Sequence, residues 1–102
     1  MKKAEKHMLH MQELLLEIPE GKVTTYKALA HAMGMKGYRF VGQLLNKNPH
    51  PNTYPCYKVV ASDGSLGGFA YGDESKIHRL KGDGIEVKNR MIVDFESKLY
   101  EF

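Results

Sequence analysis

The chain has 102 residues, 42% hydrophobic and 26% charged, with a formal net charge of +3 and one cysteine. That length predicts one domain, residues 1–102, with a small apolar core, and the composition excludes a disordered chain. A single cysteine excludes an internal disulfide framework and a cysteine-rich zinc site, and no membrane span or signal peptide is expected, so the expected compartment is reducing: cytoplasmic, nucleoid-associated or nuclear.

Residues 3–17 are predicted to form a helix, because Met8, Met11, Leu15 and Ile18 recur at helical spacing with Lys, His and Glu between them. Pro19, Glu20 and Gly21 end it. Lys22-Val23-Thr24 is a short extended lead-in. Thr24 or Thr25 then offers an N-cap hydroxyl for a second helix, on which Tyr26, Leu29, Ala30 and Met33 share one face before Gly34 closes it. After the tight connection Met35-Lys36-Gly37, a third helix is predicted from about Tyr38 to Asn46. Phe40 or Val41, with Leu44 and Leu45, can face a core, while Arg39, Gly42, Gln43, Asn46 and Lys47 fall on the other side. Two short helices joined by a glycine-containing turn, the second with a basic and amide face, read as a helix-turn-helix. An ordinary solvent-facing helix is the alternative reading of the same pattern.

Three prolines between Asn48 and Cys56 predict a stiff extended loop. Tyr57 to Ala61 is β-like, Ser62 to Ser65 is a turn and Leu66 to Gly72 is a glycine-rich return, which together suggest a hairpin or wing. A short helix over residues 74–81 follows. Ile85 to Val87 and Met91 to Phe95 read as extended, and the tail Leu99 to Phe102 is apolar enough to pack down. The expected fold class is therefore mainly α with a small β hairpin, a winged-helix-like three-helix DNA-binding domain.

Charge is distributed unevenly along these elements. From residue 21 to residue 62 there is no acid, and Lys22, Lys27, Lys36, Arg39, Lys47 and Lys58 give that stretch +6, against −1 before it and −2 after it. A polyanion partner is a direct physical reason for excluding negative charge. A solvated basic face is the alternative.

Cys56 is the first candidate for chemistry. A lone intracellular cysteine is commonly a small buried hydrophobe. Here it follows Pro55 on a rigid loop and precedes Tyr57 and Lys58, and a nearby ammonium raises the thiolate fraction. None of His7, His10, His31, His50 and His78 adjoins it in sequence. No metal-ligand spacing and no phosphate-binding glycine loop occurs, so neither a metal nor a cofactor is expected.

Five segments carry a resemblance. Ile18-Pro19-x-Gly21-x-Val23-x-Thr25-Tyr26, Arg39-x-Val41-Gly42, Asn48-Pro49, Pro55-Cys56-x-x-Val59-Val60 and Ser62-x-Gly64-x-Leu66-Gly67-Gly68-Phe69 follow one another in register. Together they resemble the active domain of O6-alkylguanine-DNA alkyltransferases over about residues 10–85. The resemblance implies a protein that binds double-stranded DNA in the minor groove, rotates the alkylated guanine out of the stack and takes the alkyl group onto its own cysteine. It implies Cys56 as acceptor and Arg39 as the residue filling the vacated stack. Tyr26 would contact the displaced phosphate or donate to the leaving guanine, and Asn48 would order the active-site turn. Thr25, Gly42, Gln43, Asn46 and Lys47 would face DNA. Pro55, Val59, Gly67, Gly68 and Phe69 would line the base pocket.

Two departures qualify the resemblance. The family's Pro-Cys-His-Arg is here Pro55-Cys56-Tyr57-Lys58, and the family's glutamate position aligns with Asp83. Tyr57 is a poor base at pH 7, so Lys58 is expected to favour the thiolate directly, with slower transfer. The end of the chain, Ile92 to Asp94 through Tyr100, is similar to the alkyltransferase-like proteins. Those bind alkylated guanine without repairing it and recruit nucleotide excision repair proteins, although they lack the cysteine. A winged-helix DNA-binding protein without lesion chemistry is a third reading.

Overall fold

The computed structural model describes residues 3–69 and 71–102. Ala70, part of the predicted glycine-rich return, lies outside the described residues. The first helix, α1 (Lys3–Glu17), buries Met11, Leu14 and Leu15, and Ile18 just after it is buried too; Leu14 joins the predicted stripe, while Met8 is only partly buried. Gly21, at φ +80°, turns the chain after Pro19. The strand β1 (Thr24–Thr25) leads directly into α2 (Tyr26–Ala32), and Thr25 is the N-cap, its Oγ1 accepting the Ala28 N–H at 3.0 Å. That hydroxyl satisfies one of the orphan donors at the helix start.

Helix α3 (Arg39–Lys47) inserts Val41, Leu44 and Leu45 into the core formed by α1 and α2. Phe40 is 39% exposed, so Val41 takes the inward position of the two considered. The outward side carries Arg39, Gln43, Asn46 and Lys47, all exposed. Helices α2 and α3 form the helix-turn-helix, and α1 supplies the apolar floor beneath it.

The β structure differs from the expected wing in its pairing. Cys56–Lys58 form a single 3-10 turn, and β2 (Val59–Val60) pairs in parallel with β1, Thr24 opposite Val59 and Thr25 opposite Val60. The stretch from Leu66 does not fold back on β2. Its start is tied instead to the end of the chain: Leu66 N–H donates to Arg90 O, and Ser65 bridges Met91. The small hairpin lies further on, where β3 (Val87–Lys88) and β4 (Met91–Ile92) pair antiparallel. Asn89 and Arg90 both have positive φ, as a two-residue hairpin turn of this hand requires. Asn89 tolerates that region, whereas an arginine there gives little sequence signal.

Helix α4 (Asp73–Gly82) packs Leu80 into a second core with Val23, Val60, Leu66, Ile85 and Ile92. A last turn, α5 (Phe95–Lys98), replaces the extended conformation expected at Phe95. Beyond it the tail packs down, with Val23 N–H donating to Lys98 O and Tyr100 N–H to Val23 O. None of these helices is long and apolar enough to cross a membrane.

Candidate active site

Cys56 lies where the stiff loop meets β2. Pro55, at φ −74° and ψ 77°, is the centre of an inverse γ-turn, and Cys56 N–H donates across it to Tyr54 O at 2.8 Å. The thiol is 7% exposed and forms part of the floor of an open cleft of about 290 Å³. The other lining residues are Tyr26 from α2, Tyr38, Arg39, Gly42, Leu45 and Asn46 from the α3 segment, Pro51 from the proline loop, and Gly68 and Phe69.

Asn48 is the hub behind the thiol. Its Nδ2 donates to Cys56 Sγ at 2.8 Å and to Tyr54 O at 3.3 Å, while its Oδ1 accepts from Gln12 Nε2 and from the His50 N–H. An amide so anchored can donate to sulfur in only one orientation. Burial pushes the Cys56 thiol above its ordinary value of 9.0, and the Asn48 hydrogen bond and the Lys76 charge pull in the opposite direction. The thiol therefore keeps its proton at neutral pH, with one amide and one ammonium offsetting part of the cost that burial places on the thiolate.

Lys76 was not legible in the sequence as a site residue. Its side chain on α4 is fully buried, and Nζ donates to Val59 O at 2.7 Å, to Gly68 O at 3.1 Å and to Leu66 O. Burial lowers its pKa to about 8, and the Cys56 charge opposes that shift. One ammonium therefore ties β2 to the segment bearing Gly68 and acts electrostatically on the thiol. A lysine flanked by Ser75 and Ile77 on a helix of low overall apolarity carries no local signal of burial.

The expected thiol partner, Lys58, points elsewhere. Its Nζ donates to Pro19 O at 2.7 Å and pairs with Asp83 at 2.8 Å, both side chains being largely buried. Asp83 also accepts the Gly21 N–H at 3.1 Å. These contacts join the α1–β1 turn to the end of α4. The 3-10 turn rotates successive side chains by about a third of a circle, so the residue two places after Cys56 faces away from the cleft. Tyr57 packs against the second core, and burial followed by the Asp83 charge raises its pKa, so it stays a neutral phenol.

Of the expected pocket and DNA-facing residues, Tyr26, Arg39, Gly42, Asn46, Gly68 and Phe69 meet at the cleft with Cys56. Asn48 stands behind the sulfur, Pro55 shapes the turn, and Val59 is fully buried in the core. Thr25 serves as the helix cap, and Gln43 and Lys47 are exposed on α3 outside the cleft. Tyr38, Leu45 and Pro51 are lining residues that sequence reasoning missed.

Tyr26 OH donates to Gly68 O at 3.2 Å, and burial raises its pKa, so the phenol keeps its proton. Gly67 makes room for it: at φ +67°, a Cβ there would lie 2.7 Å from the Tyr26 hydroxyl. Gly67→Ala is expected to lower stability by about 1–3 kcal/mol through the disfavoured backbone region and to displace Tyr26 from the cleft. A thermal melt and the Tyr26 ring resonances check both effects.

The fold and the cleft define a small helix-turn-helix domain with one thiol at the floor of an open cleft beside an acid-free helix. A sequence model described as the 6-O-methylguanine DNA methyltransferase DNA-binding domain matches residues 7–85, and the chain belongs to that family. It is 48% identical over 94 residues to a bifunctional methyltransferase/endonuclease of Picrophilus torridus, with 91% of this chain and 30% of the relative covered. It is 42% identical over 95 residues to a methylated-DNA--protein-cysteine methyltransferase of Pyrobaculum aerophilum, with 85% of this chain and 64% of the relative covered. The chain therefore spans less than two thirds of the length of either relative.

Among solved structures, S. pombe Atl1 in complex with damaged DNA containing O6-carboxymethylguanine superposes with a TM-score of 0.79 at 26% identity, over 100% of both chains. The O6-methylguanine-DNA methyltransferase of Pyrococcus kodakaraensis superposes with a TM-score of 0.70 at 36% identity, covering 76% of this chain and 45% of its own. The family thus includes both alkyltransferases and Atl1-like proteins that bind damaged DNA.

Proposed function

We propose that this domain binds the minor groove of DNA carrying O6-alkylguanine, receives the rotated base in the cleft and transfers the alkyl group irreversibly to Cys56. The observation that carries this reading is the thiol on the cleft floor, held by Asn48 Nδ2 at 2.8 Å and opening beside the acid-free helix α3. The Cys56 sulfur attacks the alkyl carbon in line, the S–C bond forms and the C–O6 bond breaks. The thiol proton passes to water as the thiolate forms, and the departing guanine takes one proton from Tyr26, which regains it from water, so the balance closes without a cofactor. Tyr26, protonated and on the cleft wall, is the donor we assign to the leaving base. Lys76 takes the electrostatic part that the sequence suggested for Lys58. The setting is the cytoplasm, at the nucleoid, or the nucleus.

The test is direct. After incubation with a duplex holding O6-methylguanine, the Cys56 peptide should gain one methyl mass. An unmodified thiol with tight lesion binding retained would favour a second reading, a sensor that binds the lesion and recruits nucleotide excision repair proteins. Two observations support that alternative: Tyr57 is turned into the second core and no histidine lines the cleft among the described residues, and Atl1 matches over the full length of both chains. Lesion-independent, sequence-selective binding would instead support a plain winged-helix reading.

Both lesion readings place Arg39 at the gap left by the base. Arg39→Ala is expected to weaken binding to lesion DNA about tenfold, the usual cost of truncating a central arginine contact, with no change in the melting temperature. Unchanged affinity would remove Arg39 from that role.

A further inference from the structure

The two loops that bound the cleft beside Cys56 are joined by a residue outside it. Pro51 and Phe69 line the cleft from the proline loop and the glycine-rich segment, and among the described residues no hydrogen bond runs directly between these loops. Arg79, on α4, touches both. Its Nη1 donates to Asn52 Oδ1 at 2.7 Å, one residue from Pro51. Its guanidinium lies over the Phe69 ring at 5.4 Å and over the Tyr71 ring at 5.1 Å. The two rings meet edge to face at 5.5 Å, and Nε is braced by Ser75 Oγ at 3.3 Å, one turn earlier on α4. A planar cation can stack on rings and donate in its own plane at once, which a lysine ammonium cannot.

We infer that Arg79 is a specificity-determining positioning residue: it clasps the Pro51 and Phe69 walls together and so limits the size of the O6 substituent that the cleft admits beside Cys56. The inference rests on the lesion-binding reading above. Arg79 itself does not line the cleft, so its effect passes through Asn52 and Phe69. Freed from the guanidinium, the Phe69 side can move outward, and bulky groups should gain more than methyl, which does not fill the space between the walls.

The experiment compares binding of duplexes containing O6-benzylguanine, O6-methylguanine or unmodified guanine by the Cys56→Ser chain, which cannot consume the lesion, with Arg79 kept or replaced as Arg79→Ala or Arg79→Lys. Each benzyl-to-methyl affinity ratio comes from one protein preparation, so a partly unfolded fraction cancels from it. The ratio should rise about threefold to fivefold in Arg79→Ala, the factor that one exposed cation–π contact is worth. Arg79→Lys should fall between the two, because it keeps charge over the rings and loses the in-plane bond to Asn52. An unchanged ratio in Arg79→Ala, with lesions still preferred over unmodified guanine, overturns the clasp and leaves the lesion-binding reading standing. A Cys56→Ser chain with Arg79 kept that does not prefer either lesion over unmodified guanine overturns that reading itself.

Discussion

Cys56→Ser is expected to abolish methyl transfer while leaving binding of O6-methylguanine DNA within about threefold of wild type. The substitution is nearly isosteric, and a hydroxyl can still accept the Asn48 amide hydrogen that now goes to sulfur at 2.8 Å. The change in stability should therefore stay near 1 kcal/mol, typical of a small buried substitution whose hydrogen bond survives. Chemistry is a different matter. A serine hydroxyl does not ionise in the range where a thiol does, and among the described residues no histidine lines the cleft to take its proton. Among the cleft's other groups the Tyr26 phenol is held above its ordinary pKa, chiefly by burial, so it does not substitute as nucleophile.

The same reasoning gives the pH dependence of the wild-type chain. The Cys56 thiol titrates above 9.0, and the thiolate is the attacking form. Transfer should therefore rise about tenfold per pH unit from 6 to 7, following the thiolate fraction, and less steeply above about pH 8, where Lys76 loses the charge that acts on the thiolate. Single-turnover transfer rates at fixed ionic strength check this. A flat profile would mean that the thiol is already ionised and that burial is not its controlling influence. Methyl removal by Cys56→Ser would place the acceptor elsewhere.

Lys76→Met should lower both stability and reactivity. Methionine replaces much of the buried stem but has no donor, so the carbonyls of Val59, Leu66 and Gly68 lose their common partner. An unsatisfied buried carbonyl costs roughly 1–3 kcal/mol, and relief from burying an ammonium offsets part of that, so a net loss of about 3 kcal/mol is expected. The cation acting on the thiolate disappears as well, and transfer at pH 7 should fall about tenfold beyond any effect of unfolding.

The pH dependence of the stability difference is a separate check. In the folded chain Lys76 titrates at about 8, below its usual 10.5. Between those values the unfolded chain binds more protons, so this group makes stability rise with pH across that window. The urea midpoint of the wild type should pull further ahead of Lys76→Met as pH climbs from 8 towards 10. The raised thiol and tyrosine groups act in the opposite sense but are present in both proteins, so they leave the difference largely intact. A gap that stays constant with pH would mean that Lys76 keeps an ordinary pKa in the fold.

The helices were the most legible part of the molecule. Of the predicted stripe Met8, Met11, Leu15 and Ile18, the last three are buried and Met8 is partly buried, because a helix must put its apolar repeat on one side. The Thr25 cap and the Gly34 stop are equally local, each set by one side chain or one backbone freedom. The strands were less legible. Each has only two residues, too short for alternation to indicate a partner. Val59 and Val60 therefore read as half of a hairpin, although they pair in parallel with a segment more than thirty residues earlier.

The same division runs through the site. Cys56, Arg39, Tyr26 and the paired glycines at 67 and 68 could be named from the sequence alone, because each belongs to a short motif whose chemistry or backbone freedom is carried by the residue itself. Which cation reaches the thiol could not. Lys58 is two residues from Cys56 and faces Asp83, whereas Lys76 is twenty residues away and acts on the sulfur, because a 3-10 turn rotates one aside and the packing of α4 brings the other beneath. The amino-acid order by itself determined the helices, their caps and the reactive atom. Only the tertiary structure decided the electrostatic surroundings of that atom, since a Coulomb interaction depends on distance through space and on the burial of both charges, neither of which follows from proximity along the chain.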